Sequence, residues 1–514
     1  MDLSDLIDRN AAFTPDKPAI RFNGEVLTYG AFAERIHRTA RLLKSRYGIG
    51  RGDRVAILSL NRPDYLVLLY ACARLGAMLV PVNWRLAVPE HLYILEHASA
   101  KLLVVEEAFA GVLASMPEAV PDCRTLGLDF TPPGGARLGA ALETVEGDGR
   151  NPHIDTTCPL LIVYTSGTTG RPKGAVLRQD ALVWNAIHSA HLHNMTSDDH
   201  VLTTLPMFHV GGLNIQSTPA LQVGATLTVH DRFDAAAAVR AIAADRPTLT
   251  VVVPATMAAI LEEAAATGAD ITSLRAVGAG STIVPQPLIE AFQQKGIKVL
   301  QVYGSTETAP ICIYTRIGGV DAVMRKGTVG LPGLACEARV VDDAGREVAP
   351  GVAGEIIVRG PTVLYEYWGD EAATSDVLRN GWFHTGDIGT RDADGYFYVH
   401  DRKKNMIISG GENVYPAEIE RVLHEHPDVA EAAVIGRPDP QWQEVPVAFI
   451  VARPGAQVTD EAVIAHLRAH LARFKVPREI RFVEMLPRNA LGKVQHFQLR
   501  AQLAAADTAT GTAA

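Results

Sequence analysis

Leu160-Leu161-Ile162-Val163-Tyr164, followed by Thr165-Ser166-Gly167-Thr168-Thr169-Gly170-Arg171-Pro172-Lys173-Gly174, decides how the rest of the chain is read. The first five residues are apolar or aromatic and make a short buried strand. The next ten cannot continue it. Three glycines let the backbone turn its N–H groups toward one point, and the Ser and Thr hydroxyls add donors. Arg171 and Lys173 supply positive charge. A strand running into such a loop reads as a phosphate cradle. It is not a Walker A loop, in which Gly-Lys is followed by Ser or Thr; here Pro172 precedes Lys173 and Gly174 follows it.

Outward from that loop, strand-like and helix-like stretches alternate. Upstream, Asn23-Gly24 between two alternating runs predicts a hairpin. A helix follows over 29–45, then a strand over 54–59, a helix over Asp64–Leu75, and strands over 77–82 and 101–105. Residues 107–157 read as less regular. Downstream, VLTTLP, ATLTVH, LTVVVP and IKVLQVYG are strand-like with helices between, so the sheet is mostly parallel. From about Thr328 shorter β segments predict a β-rich subdomain. After residue 400 the pattern becomes a small α+β domain. The expected organisation is an α/β domain over 1–400, a mobile C-terminal domain over 401–504 and a disordered tail over 505–514.

The chain has 514 residues, too many for one core, and a formal net charge of -9 with no polybasic run. That balance argues against nucleic acid as a partner, and any phosphate ligand needs local positive charge. The five cysteines show no CxxC spacing, which fits a reducing compartment without structural zinc. No signal peptide or membrane-spanning run is read, so the expected location is the cytoplasm.

Further motifs follow in order. Tyr303-Gly304-Ser305-Thr306-Glu307-Thr308 offers a ring to stack on a purine and a carboxylate to hold Mg²⁺ against phosphates. Upstream of it, Gly278-Ala279-Gly280-Ser281 offers small residues that let a base approach the backbone. Thr385-Gly386-Asp387 offers a carboxylate for two ribose hydroxyls.

Together with the phosphate loop these motifs resemble, over nearly the whole chain, those of the adenylate-forming superfamily. That group holds acyl-CoA synthetases, peptide-synthetase adenylation domains and luciferases. The resemblance implies that Thr165, Ser166, Gly167, Thr168, Thr169, Gly170 and Lys173 bind the nucleotide phosphates. It places Gly280, Ser281, Tyr303 and Gly304 along adenine and Asp387 and Arg402 at the ribose. Thr306 contacts phosphate, and Glu307, with Thr168, supports the metal. Asp401 becomes a hinge, and Asn405 stands where the family often has an acid. The segment Ser409-Gly410-Gly411-Glu412-Asn413-Val414-Tyr415-Pro416 resembles the acyl-CoA synthetase version of a loop whose glycines, Gly410 and Gly411, flank the CoA thiol channel. Pro487 to Lys493 resembles the terminal segment that carries a catalytic lysine, here Lys493. Pro206–Gly212 implies an acyl pocket gated by His209, with Ala309 and Pro310 on its wall.

What the resemblance implies is an ATP- and Mg²⁺-dependent, AMP-forming acyl-CoA ligase acting on a fatty or aromatic acid, with CoA as co-substrate. The same fold also allows loading of a separate carrier protein, luciferase-like oxidation of the adenylate, or a nucleotide sensor without catalysis. A homodimer and an acetyltransferase acting on Lys493 are the further expected partners.

Overall fold

The computed structural model describes residues 1–165, 172–280, 284–319, 325–409, 412–439, 441–488 and 494–511. The chain divides into two compact units, Met1–Ala338 with Val358–Phe383, and Arg339–Ile357 with His384–Ala514.

Among the described residues the larger unit carries two sheets. In one, Lys298–Tyr303, Ala276–Gly280, Leu249–Val252, His200–Thr203, Thr226–Val229 and Pro18–Phe22 lie side by side and parallel. Antiparallel strands close both edges: Glu25–Thr28 at one, and Ile313–Tyr314 with Leu331–Pro332 at the other. The hairpin at Asn23-Gly24 forms as predicted, with φ of 49° and 82° at the two turn residues, the left-handed pair that matches strand twist. The other sheet runs Glu366–Tyr367, Lys173–Arg178, Pro159–Thr165, Met78–Val82, Arg54–Leu58, Leu102–Val105, Arg124–Gly127, Ala136–Arg137. Its strands from Pro159–Thr165 onward are parallel.

These strands read as unbroken apolar runs because both faces are covered. On one face of the first sheet Val252, Val277 and Val299 pack against Met257 and Ile260 of the helix Pro254–Thr267 and Phe292 of the helix Gln286–Gln294. The stretch 107–157, read as irregular, adds two short strands to the sheet edge. Its prolines and glycines hid them. A Cβ at Gly127 would lie 2.1 Å from the Phe130 carbonyl oxygen, and one at Gly135 2.8 Å from that of Thr125, so the tight backbone approach demands glycine there.

The smaller unit has its own core. Antiparallel strands Glu412–Val414, Ile407–Ser409, Gln443–Ala452 and Val429–Asp439 are joined by Glu479–Phe482, parallel to Gln443–Ala452. Side chains alternate across this sheet with the strand period of two. Val434, Ala448 and Ile450 meet the helices Pro416–His424 and Asp460–His470 through Ile419, Val422, Val463 and Leu467. Ala433, Ile435, Val447 and Phe449 meet Leu499 and Leu503 of the helix His496–Gly511 on the other face.

Two differences from the sequence reading stand out. The boundary expected near residue 400 falls inside this unit, because Trp382–Arg391 pairs with Phe397–Arg402 and the β-hairpin straddles it. The stretch 505–514, expected to lack order, continues the last helix to Gly511, in keeping with the high helix propensity of its alanines. No helix among the described residues is long and apolar enough to cross a membrane.

Leu499 is fully buried against that sheet. Leu499→Ala is expected to destabilise the smaller unit by about 2–5 kcal/mol, the usual range for a buried Leu cut to Ala. Urea unfolding followed at Trp442, the unit's only tryptophan, checks it, with the other four tryptophans replaced by phenylalanine.

Candidate active site

In the larger unit the strand Pro159–Thr165 pairs antiparallel with Lys173–Arg178, and Thr165 stands opposite Lys173. The two ends of the glycine-rich loop are therefore held in register. Ser166, Gly167, Thr168, Thr169, Gly170 and Arg171 lie outside the described residues. Gly174 is required where it stands, since a Cβ there would meet Ile162 Cγ2 at 2.7 Å.

Tyr303 ends a parallel strand, and Gly280 ends its neighbour one register position away, opposite Val302. Ligands of parallel sheets bind beyond such carboxyl ends. A Cβ at Gly280 would lie 2.5 Å from the Val302 carbonyl oxygen, and one at Gly304 1.8 Å from that of Pro310. Both glycines are thus demanded by backbone approach, and Gly278–Gly280 form the end of a strand. Ser281 lies outside the described residues. After Gly304 the chain makes a tight turn over Thr306–Thr308, closed by the Ser305 N–H donating to Thr308 Oγ1 at 2.9 Å. Thr306 is buried in it.

Glu307, the expected metal carboxylate, and Lys173 are joined through a residue that sequence reasoning passed over. Tyr367 donates its hydroxyl to Glu307 Oε1 at 2.8 Å, and Lys173 Nζ stands 5.5 Å from the centroid of the same ring. The only signal for it was a pair of adjacent aromatics, Tyr367-Trp368, in a polar stretch. Among the described residues no three His, Cys, Asp or Glu side chains gather as a metal cage. A lone carboxylate is nevertheless the donor set that suits Mg²⁺ bound chiefly by nucleotide phosphates. Glu307 therefore fits its expected role, and Thr168 lies outside the described residues.

His209 precedes the helical turn Val210–Gly212, with its ring 6.3 Å from that of Phe208. Gly212 allows the chain to double back, because a Cβ would lie 2.2 Å from the Pro206 carbonyl oxygen. Next comes a π-helical turn, Leu213–Ser217, a distortion often found at functional sites. Its Gln216 donates from Nε2 to His193 Nε2 at 2.9 Å, and a Cβ at Gly278 would stand 3.0 Å from that same ring nitrogen. The acyl segment and the glycine strand are linked through this buried pair. Among the described residues Gln216 Oε1 and Asn214 Nδ2 are buried without a partner. Nearby, Asn185 accepts from the Ile311 N–H at 3.2 Å and donates to the Asn214 carbonyl at 2.6 Å, which ties the segment after Ala309 and Pro310 to the π turn.

In the smaller unit Asp387 and Arg402 are cross-strand partners, and Arg402 Nε lies 2.7 Å from Asp387 Oδ1. Arg402 also donates to the Thr385 carbonyl at 3.0 Å, and Gly386, with φ of 69°, makes the bend that brings it near. The two expected ribose residues are thus neighbours. Asp401 accepts from the Ala417 N–H at 2.9 Å and from Asn405 Nδ2 at 3.2 Å. Asn405 supplies a neutral donor where a second acid would repel the Asp401 carboxylate. Gly410, Gly411 and Lys493 lie outside the described residues.

Comparisons with known proteins show the family. The family model described as AMP-binding enzyme matches residues 7–368, and the AMP-binding enzyme C-terminal domain matches residues 418–493. The chain belongs to the AMP-binding enzyme family. Its reaction is an ATP-dependent acyl- or aryl-CoA ligation that forms AMP. An indoleacetate–CoA ligase of Aromatoleum aromaticum is 47% identical, over 99% of each chain. A fatty acid–[acyl-carrier-protein] ligase ScoC of Streptomyces coeruleorubidus is 38% identical, over 96% of this chain and 94% of its own. The o-succinylbenzoate CoA synthetase of Bacillus subtilis, solved with its acyl-adenylate intermediate, has a TM-score of 0.85 at 31% identity, covering 97% of this chain and 98% of that one. The same enzyme has been solved with ATP and magnesium ion.

Burial pushes the His193 imidazole down to about 4, so it is neutral near pH 7. The unfolded chain binds that proton near pH 6.5, so the contribution of neutral His193 is complete above 6.5 and is lost as pH falls toward 4. Stability is expected to drop across that interval, and His193→Asn is expected to flatten the drop, as measured by urea midpoints from pH 4 to 7.

Proposed function

We propose that the protein activates an aromatic acid carrying a hydrogen-bonding group near its ring, and joins it to CoA through an acyl-adenylate. The observation that carries this reading is a pair of buried amide atoms, Asn214 Nδ2 and Gln216 Oε1, without a partner among the described residues, on the turn that follows His209. Leaving such an atom unpaired costs about 1–3 kcal/mol. An alkyl chain cannot relieve that cost, whereas an N–H or O–H on the substrate can pair with Gln216. An acid of this kind, with an indole N–H, appears in the name of the indoleacetate enzyme.

In the first step a carboxylate oxygen attacks the α-phosphorus of ATP, and the bond to pyrophosphate breaks. Two anions must meet, so the task is electrostatic. Lys493 bridges the carboxylate and the nucleotide, while Thr165, Thr306 and Lys173 hold the phosphates. Glu307 would hold magnesium, which would supply charge neutralisation on the phosphates. Tyr303 and Gly280 hold adenine, and Asp387 and Arg402 hold the ribose. In the second step the CoA thiolate attacks the acyl carbonyl, and the bond to the AMP oxygen breaks. A change of orientation at Asp401 exchanges Lys493 for the Gly410–Gly411 loop between the steps. The protein works in the cytoplasm on this reading, consistent with five free cysteines.

AMP release with ATP, Mg²⁺ and CoA tests the substrate class over indole-3-acetate, ferulate, anthranilate, 1-naphthylacetate and octanoate. At least one acid with an N–H or O–H is expected to exceed 1-naphthylacetate and octanoate in kcat/KM by roughly 10-fold, the kinetic equivalent of one satisfied hydrogen bond. Octanoate as the best substrate would refute the reading. A second reading, transfer to a carrier-protein thiol, is favoured by the ScoC likeness, and replacing CoA by a phosphopantetheinylated carrier in the same assay decides it.

Lys493→Ala is expected to slow pyrophosphate release about 100- to 1,000-fold, as for a lost oxyanion donor, while sparing thioester formation from preformed acyl-AMP. Acetylation of Lys493 removes the same charge and has the same expected signature. Stopped-flow measurement of the two half-reactions separates these effects.

A further inference from the structure

We infer that Tyr367 is a positioning residue for the adenylation step, fixing which oxygen of Glu307 faces the metal and tying that carboxylate to the phosphate-loop lysine. The inference rests on the reading above in which Glu307 is the magnesium carboxylate.

The ring sits between two groups of opposite charge from two separate motifs. Its hydroxyl donates to Glu307 Oε1 at 2.8 Å, and its face looks toward Lys173 Nζ at 5.5 Å from the centroid. Tyr367 is 8% exposed, and its main chain is held on every side. The two-residue strand Glu366–Tyr367 pairs antiparallel with Lys173–Arg178, with Tyr367 opposite Ala175. The Trp368 N–H donates to the Gly174 carbonyl at 2.7 Å, and the Tyr365 N–H to that of Val176 at 2.8 Å. The Tyr367 N–H donates to Thr374 Oγ1 at 2.9 Å, and the Trp368 indole N–H to the His97 carbonyl at 3.1 Å. Glu307 is anchored from the same side, its carbonyl accepting from the Leu364 N–H at 2.7 Å. The phenol therefore cannot follow the carboxylate if the carboxylate rotates.

The consequence for chemistry follows from the inventory of oxygens. A carboxylate has two, and a fixed donor on Oε1 leaves Oε2 as the one free to face a cation. Mg²⁺ tolerates little departure from octahedral geometry, so a carboxylate that rocks binds it less well. Partners that orient a ligating group in this way typically change metal affinity 10- to 100-fold when removed. Because the same ring also faces Lys173, the metal carboxylate and the loop lysine are placed relative to one another by one rigid body rather than by two flexible side chains.

Tyr367→Phe keeps the ring and removes only the hydroxyl. The protein–ATP complex is titrated with Mn²⁺ as the probe, read by electron paramagnetic resonance, and pyrophosphate release is measured against Mg²⁺ concentration. Tyr367→Phe is expected to raise the Mn²⁺ Kd about 10-fold and the Mg²⁺ requirement in parallel. ATP binding in EDTA and the melting temperature are expected to stay as in the parent. Adding Tyr367→Phe to Glu307→Gln is expected to change Mn²⁺ affinity no further, since the hydroxyl acts through that carboxylate. Tyr367→Leu, which also removes the ring face beside Lys173, is expected to weaken ATP binding in EDTA as well. An unshifted Mn²⁺ Kd in Tyr367→Phe, with Glu307→Gln shifted, overturns the inference and leaves the metal role of Glu307 standing. If Glu307→Gln also binds Mn²⁺ as the parent does, the metal role itself fails.

Discussion

The antiparallel pairing of Lys173–Arg178 with strands on both its sides is the constraint on which the nucleotide site depends. On one side it meets Pro159–Thr165 and so sets Thr165 opposite Lys173, which fixes the two ends of the phosphate loop. On the other it meets Glu366–Tyr367, which carries the phenol that reaches Glu307. A one-residue slip on either side would turn every side chain of the moved strand to the opposite face. Lys173 and Tyr367 could then no longer share a side. Thr165, Lys173 and Tyr367 are therefore placed by main-chain register before any side-chain preference acts.

Glycine has a second and separate part in this site. Gly280 and Gly304 are not where the backbone needs a left-handed turn. They are where a carbonyl oxygen of a neighbouring segment occupies the space of a Cβ, at 2.5 and 1.8 Å. At both positions the backbone approaches its neighbour more closely than alanine allows. Gly386, by contrast, is a conformational glycine, with φ of 69°, and its bend accompanies the contact between Arg402 and Thr385. One residue type solves two different geometric problems in the two units.

Much of this was legible from the chain. The mostly parallel sheets followed from strand-like and helix-like stretches in alternation, because parallel neighbours need a crossover between them. The family was legible because phosphate and metal chemistry restricts which residues can serve, so short, dense strings such as Tyr303–Thr308 stand out. Tyr367 was not legible, since its partner is 60 positions away and a tyrosine beside a tryptophan looks like ordinary packing. The polar pair His193 and Gln216 was hidden for a similar reason. Helical periodicity does not announce a π turn, and a buried histidine made neutral by burial looks in sequence like any other. The edge strands near residues 124–137 were missed because close backbone approach selected glycine and proline, the residues that usually end strands.

The smaller unit packs apolar side chains on both faces of its sheet, with two helices on one face and the last helix on the other. Adjacent residues of one strand, Phe449 and Ile450, therefore serve different cores, so the two faces can be probed one at a time.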